Sequence, residues 1–214
     1  MNPLQRIGVI GDIHCESQSL KLAVDTLTAQ RLTTIVCTGD LPTGPGDVNL
    51  CCDSLRSNNI ITVRGNHDRW LLDRNELNLP FATPPETVSN SSWQFLESLP
   101  VTVELTTAAG LALLCHGFGA HDMLSFESNQ PDSELLNHPI FREIYDSSRY
   151  RFIINGHSHR PEVRRLRSLT IMNAGTLRSD HQPVFAEIDF ECGLVQFWEI
   201  IDRQYVRKSN RYEI

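Results

Sequence analysis

Three times before residue 67, an apolar run rich in β-branched residues stops at a glycine followed at once by Asp or Asn. These are residues 7–10 before Gly11-Asp12, 33–38 before Gly39-Asp40, and 60–64 before Gly65-Asn66. Short apolar runs bounded by glycine read as buried strands, and the segments between them carry helical spacing. Leu20, Ala23, Val24 and Leu27 share a helical face, and Asp47 suits the N-cap of a helix running through Leu55. Strand, loop and helix repeated in this way predict a parallel sheet with helices on its faces. In such a sheet ligands gather outside the carboxyl ends of the strands, where these Gly-Asp and Gly-Asn pairs fall.

Farther along, residues 75–90 hold three prolines and little periodicity, which predicts an irregular excursion bordering a cleft. A short helix is expected over 92–99, closed by Pro100, followed by strands at 101–105 and 111–115 joined near Ala109-Gly110. Residues 131–145 read as one helix and 151–154 as a buried strand. The tail reads as strands at 162–167, 170–173, 184–189 and 195–200, mostly antiparallel. Together these elements predict an α/β fold in which two mixed β-sheets pack face to face with helices outside. That is a four-layer α/β/β/α sandwich, read as a single domain over residues 1–214.

Composition narrows the partners. The chain has 214 residues and a net charge of −7, and its first dense basic stretch is Arg164-Arg165-Leu166-Arg167, which reads as a solvated strand face. Long nucleic acid is therefore not an expected partner. A small anion is, because bound cations reverse the local field inside an acidic protein. The six cysteines form no CxxC pair and fit a reducing compartment. Cys15, beside His14, reads either as a packing residue or as a ligand or redox-sensitive thiol. No window of 18 apolar residues occurs, so a soluble, cytoplasmic protein without a membrane partner is expected.

Five polar clusters fall at predicted strand ends: Asp12-Ile13-His14, Gly39-Asp40, Gly65-Asn66-His67-Asp68, His116-Gly117 and Gly156-His157-Ser158-His159. Singly, each has an ordinary reading as a turn or helix cap. As an ordered series they supply ligands for two divalent ions. Oxygen and imidazole donors without thiolate suit Mn²⁺, Fe, Zn²⁺ or Co²⁺. Asp12 and His14, two apart, project to the same side in extended geometry and can grip one ion. Asp40 is the natural bridge between two cations about 3.5–4 Å apart, with Gly39 leaving room for close approach. Asn66 offers an amide oxygen and His116 an imidazole. His157 and His159 reach different ions if the turn at Gly156 breaks alternation. The remaining histidines, His121, His138 and His181, are expected in loops, in contact with water.

In this order the motifs resemble those of the calcineurin-like metallophosphoesterases, over about three quarters of the chain. The small size, and Asn173-Ala174-Gly175-Thr176 in place of an Asn-Pro-Gly-Ser motif, are similar to the compact prokaryotic branch. The resemblance implies one ion held by Asp12, His14, Asp40 and His159, and another held by Asp40, Asn66, His116 and His157. Manganese is favoured among Mn, Fe, Zn, Co and Ni. His67 would stand beside the substrate, protonating the leaving alkoxide or stabilising its charge. Asp68 would either orient His67 or serve as a helix-start carboxylate. Arg64 would clamp a phosphate oxygen or pair structurally, and Arg178 is a further substrate-contact candidate. Arg64-Gly65-Asn66-His67 matches the protein phosphatases, whose second arginine after Gly-Asp is replaced here by Leu41-Pro42-Thr43-Gly44-Pro45.

The implied activity is hydrolysis of a small phosphodiester or phosphomonoester by a metal-bridging hydroxide. Two divalent ions bring four positive charges and the two aspartates remove two, so an excess of about two is left for a phosphate dianion to balance. Alternatives are a phosphoprotein or dinucleoside polyphosphate phosphatase, or a non-catalytic scaffold like the retromer subunit that keeps this fold.

Overall fold

The computed structural model describes residues 2–75 and 78–214. The three glycine-ended runs form β1 (Arg6–Ile10), β2 (Ile35–Cys37) and β3 (Ile61–Thr62), which pair in parallel. They alternate with α1 (Ser17–Ala29), α2 (Val48–Ser57) and α3 (Asn66–Leu72). Asp47 caps α2 as its sequence suggests, its carboxylate accepting the Asn49 N–H at 2.8 Å. From β1 the sheet continues antiparallel through β9 (Val184–Asp189), β10 (Leu194–Ile201) and β11 (Tyr205–Glu213), giving the order β11-β10-β9-β1-β2-β3.

The second sheet has β5 (Gly110–Cys115), β6 (Phe152–Asn155) and β8 (Leu169–Ala174) in parallel at its centre. Antiparallel β4 (Thr102–Thr107) and β7 (Pro161–Leu166) form its edges. Period-two alternation sorts the side chains into layers. Ile7, Val9 and Val36 meet Ala112, Leu114, Ile154 and Met172 between the sheets. On the outer face of the first sheet, Ile10 and Cys37 pack with Leu20, Leu27 and Leu55, and with Leu96 of α4 (Asn90–Ser98). On the outer face of the second, Leu113, Ile153 and Ile171 pack with Leu135 and Phe141. The result is the expected four-layer α/β/β/α sandwich. Each fully buried Leu or Ile contributes roughly 1.5–3 kcal/mol against at most about 1 for an exposed ion pair, so these apolar layers set the frame on which the strand ends sit.

Two readings need correction. The expected helix over 131–145 is two helices, α5 (Asp132–Asn137) and α6 (Pro139–Asp146). Pro139 has no N–H to donate and forces His138 into an extended conformation, so the helix restarts there. Strand β11 escaped the sequence reading because it is an edge strand and almost wholly solvent-facing, without apolar alternation. The tail is mostly antiparallel, as expected, with β8 alone among its four expected strands also pairing in parallel, with β6. The stretch 75–90 is irregular apart from a 3-10 turn at Pro85–Thr87, and its residues 76 and 77 lie outside the described residues. Five cysteines are buried and Cys192 is exposed, all of them free. Among the described residues, no helix is long and apolar enough to cross a membrane.

Candidate metal centre

The carboxyl ends of β1, β2, β5 and β6 and the start of α3 converge on one point. The ligand atoms of Asp12, His14, Asp40 and His159 all lie within 4.8 Å of one another, and so do those of Asp40, His116 and His157. Asp40 belongs to both groups. Asn66 completes the second, its Oδ1 lying 2.9 Å from His116 Nε2 and 2.8 Å from His157 Nδ1. His157 and His159 thus face different groups.

The backbone achieves this by a route other than the expected one. Asp12 and His14 do converge, but not by strand alternation. His14 lies at φ +48°, and Asp40, His157 and His159 at +52°, +69° and +60°. These left-handed conformations cost a non-glycine residue about 1–2 kcal/mol each, and such strain concentrates where a ligand must be aimed. The surroundings hold it. Ile13 and His14 donate their N–H groups to the Asp40 carbonyl at 3.0 and 2.9 Å, and Thr176 Oγ1 donates to the Asp12 carbonyl at 2.8 Å. Gly39 (φ +97°) leaves no space for a side chain, since a Cβ there would stand 2.5 Å from Gly65 N. At Gly156 a Cβ would stand 2.2 Å from Asp12 Oδ1, so only glycine lets the His157 N–H reach Asp12 Oδ2 at 2.8 Å.

Neighbouring carbonyls fix which imidazole nitrogens face the centre. His14 Nδ1 donates to the carbonyls of Pro42 and Thr43 at 3.1 and 3.0 Å, and His116 Nδ1 donates to Thr38 O at 2.7 Å. Both Nε2 atoms are therefore turned inward. His14 Nε2 stands 3.0 Å from His159 Nε2, which is 3.3 Å from Asp12 Oδ2. His116 Nε2 stands 3.3 Å from Asp40 Oδ2. Nitrogen and oxygen atoms crowded together this way form a donor set that a cation could fill.

The electrostatics agree. Burial pushes His14 down to about 4 and His159 down to about 3, so both are neutral, as ligation requires. Burial pushes Asp12 up to about 7. Burial also opposes ionisation of Asp40, yet His116 and His14 hold its carboxyl well below the usual range. Burial opposes a charge on His116, but Asp40 and then Asp12 carry it up to about 10. Without metal, a proton on His116 supplies the positive charge that the second group demands. The donor set therefore fits divalent cations bound by oxygen and imidazole.

The remaining candidates resolve individually. His67 is 17% exposed, its Nε2 lies 4.0 Å from Asp40 Oδ2, and its ring meets those of His14 and Trp70 edge-on. Asp68 is the helix-start carboxylate. Its oxygens accept the N–H groups of Gly65 (2.7 Å), Asp40 (2.9 Å) and Leu41 (3.0 Å), which ties α3 to the Asp40 turn. Arg64 is half-buried and outside both groups. Its N–H donates to Pro100 O. Arg178 pairs with Asp180 through two hydrogen bonds of 2.9 and 2.6 Å. Cys15 is buried and outside both groups, as the packing reading has it.

Two loop histidines also make ring contacts, and His181 stays exposed as expected. The His181 ring lies 5.0 Å from that of His159, because residues 178–183 fold back over the 157–159 turn, and His138 packs against Phe126. No motif signals the His181 contact; only its place shortly after the Asn173–Thr176 stretch hints at it.

Comparison with known proteins gives one consistent picture. Residues 6–191 match the family model of the calcineurin-like phosphoesterase superfamily domain. An uncharacterized protein of Methanocaldococcus jannaschii is 24% identical over 181 residues, covering 81% of this chain and 70% of that protein. The fold is similar to a metallophosphoesterase from Sphaerobacter thermophilus (TM-score 0.69, 22% identity, 94% of this chain and 89% of that one). It is also similar to a Vps29 variant from Entamoeba histolytica (TM-score 0.60, 19% identity, 98% and 99%).

Proposed function

Because the chain belongs to the calcineurin-like phosphoesterase superfamily, we propose that it hydrolyses small phosphate esters with two divalent cations. One ion would be held by Asp12, His14, Asp40 and His159, the other by Asp40, Asn66, His116 and His157. The observation that carries this reading is the shared Asp40, whose carboxylate belongs to two groups of inward-facing acceptors at once. Manganese, with Fe, Zn, Co and Ni, is among the ions such oxygen and imidazole donors accept, and is the one proposed here.

Bound cations at such a site lower the pKa of coordinated water and neutralise charge on the phosphoryl oxygens. The protein's own groups do the rest. The carbonyls of Pro42, Thr43 and Thr38 hold His14 and His116 in the tautomers that present Nε2. The three N–H groups on Asp68 hold Asp40 relative to α3. His67, whose backbone N–H donates to Asp40 Oδ1 at 2.8 Å, is tied to the shared carboxylate and reaches solvent at the mouth of the site. There it protonates the departing ester oxygen as the P–O bond breaks, so that a monoester and water give alcohol and inorganic phosphate, and a diester and water give alcohol and a monoester.

A scaffold that keeps the fold without the chemistry would be expected to lack ligands, and every ligand position here is filled. The test is turnover of p-nitrophenyl phosphate and its bis-ester by metal-stripped and Mn²⁺-loaded protein. Metal-dependent hydrolysis of either supports the proposal. Absence of hydrolysis of both with every divalent ion tried would overturn it.

A further inference from the structure

Beside the first ligand group, a cavity of about 120 Å³ opens between His14 and Phe81, walled also by Pro45, Arg178 and Asp180. Its charges are already committed. Arg178 is held by both oxygens of Asp180, and Glu16 accepts from Arg203 at 2.7 Å and from the Ser179 N–H at 3.1 Å. A second anionic group would meet charges that cancel one another, so the cavity suits an uncharged occupant.

Phe81 is the unusual wall. It is 64% exposed, so burial does not explain its place, and its backbone is left-handed at φ +59°. A bulky residue in that region is strained, and such strain persists where surrounding structure over-determines it and a ligand makes use of it. The anchor is two residues on, where Thr83 Oγ1 accepts the Thr43 N–H at 3.0 Å. The Thr43 carbonyl in turn accepts from His14 Nδ1. Phe81 is thereby tied to the turn that orients a metal-ligand candidate.

Size selects the occupant. At about 120 Å³ the cavity is somewhat smaller than the roughly 150 Å³ that encloses a benzene molecule, so with its open mouth it takes at most one six-membered ring and not a fused pair. An aromatic face and a planar guanidinium held in a fixed orientation both favour a flat ring. Resting on the phosphoesterase reading above, we infer that this cavity is the leaving-group subsite and that Phe81 selects esters of alcohols carrying a single flat, uncharged ring. Aryl phosphates are then preferred over alkyl phosphates and over dinucleoside polyphosphates, whose second phosphate finds no uncommitted cation in the cavity.

The test compares phenylphosphonate with methylphosphonate, neither of which has an ester bond to hydrolyse, by calorimetry on Mn²⁺-loaded protein. The wild type should bind the phenyl compound more tightly, and Phe81→Gly should cut that preference about five-fold, within the range of an aromatic pair. Glycine accepts φ +59°, so the thermal midpoint of this variant should be no lower than that of the wild type. An unchanged preference in Phe81→Gly, with phosphonates still bound and esters still hydrolysed, overturns the subsite and leaves the activity standing. Failure of the loaded wild type both to bind either phosphonate and to hydrolyse any ester overturns both. A naphthyl phosphonate bound more tightly than the phenyl one, and through Phe81, would contradict the size argument.

Discussion

The Nε2 atoms of His14 and His159 stand 3.0 Å apart although the residues are separated by 145 positions. Two backbone carbonyls hold the far nitrogen of the His14 ring, so this approach is enforced from outside the pair. Burial keeps both rings neutral at physiological pH, the form in which an imidazole can ligate a cation.

The two ligand groups should be separable. Asn66→Ala removes an oxygen that faces only His116 and His157, and should lower binding at the second position by a factor of ten or more while sparing the first. Metal content after gel filtration should then fall toward one equivalent. Two tightly held equivalents in this variant would contradict the assignment of Asn66.

Asp68 acts on the site through Asp40. Burial, helped by the charge of Asp40, pushes its carboxyl up to about 6, yet three N–H groups converge on it. Asp68→Asn sets an amide N–H against those donors and should cost about 2 kcal/mol or more of stability, with a roughly 10–100-fold loss in metal affinity. Chemical denaturation and metal titration of one preparation measure both.

The metal-free protein should lose stability as the medium becomes alkaline. His116 has a folded pKa near 10, above its ordinary 6.5, so its contribution is complete below about 6.5 and is lost as pH rises through about 10. Thermal unfolding in chelator should show a falling midpoint across that window. In His116→Asn the fall should be much shallower, and metal should flatten it in the wild type by replacing the proton.

His67 should matter for turnover and not for metal. His67→Ala should keep wild-type metal content and lower kcat on alkyl phosphates by about 10²–10⁴. The loss on p-nitrophenyl phosphate should be smaller, because that leaving group departs without a proton. Equal losses on both substrates would place His67 in binding and not in proton donation.

Much of this was legible in sequence because the strands announce their own ends. Gly11-Asp12, Gly39-Asp40, Gly65-Asn66 and Asn155-Gly156 mark where apolar runs stop, and the side chains that meet in the site follow directly. Local features that depend on distant parts of the chain were hidden. The left-handed backbone of His14 is held by a hydrogen bond to the Asp40 carbonyl in another loop, where strand geometry alone suggested an extended residue. The contact of His181 with His159 arises from a loop folding back, and no local pattern records it. Asp68 read equally well as a partner of His67 or as a helix cap until its three N–H donors were seen. Strand β11 carries charge where a buried strand would carry alternation.

The most direct measurement is the number of cations that one chain binds. Metal-stripped protein titrated with Mn²⁺ or Zn²⁺ by calorimetry, with elemental analysis of the dialysed product, should reach two equivalents per chain. A limit of one equivalent or fewer with every transition ion tested would contradict the shared role of Asp40, and with it the dinuclear site.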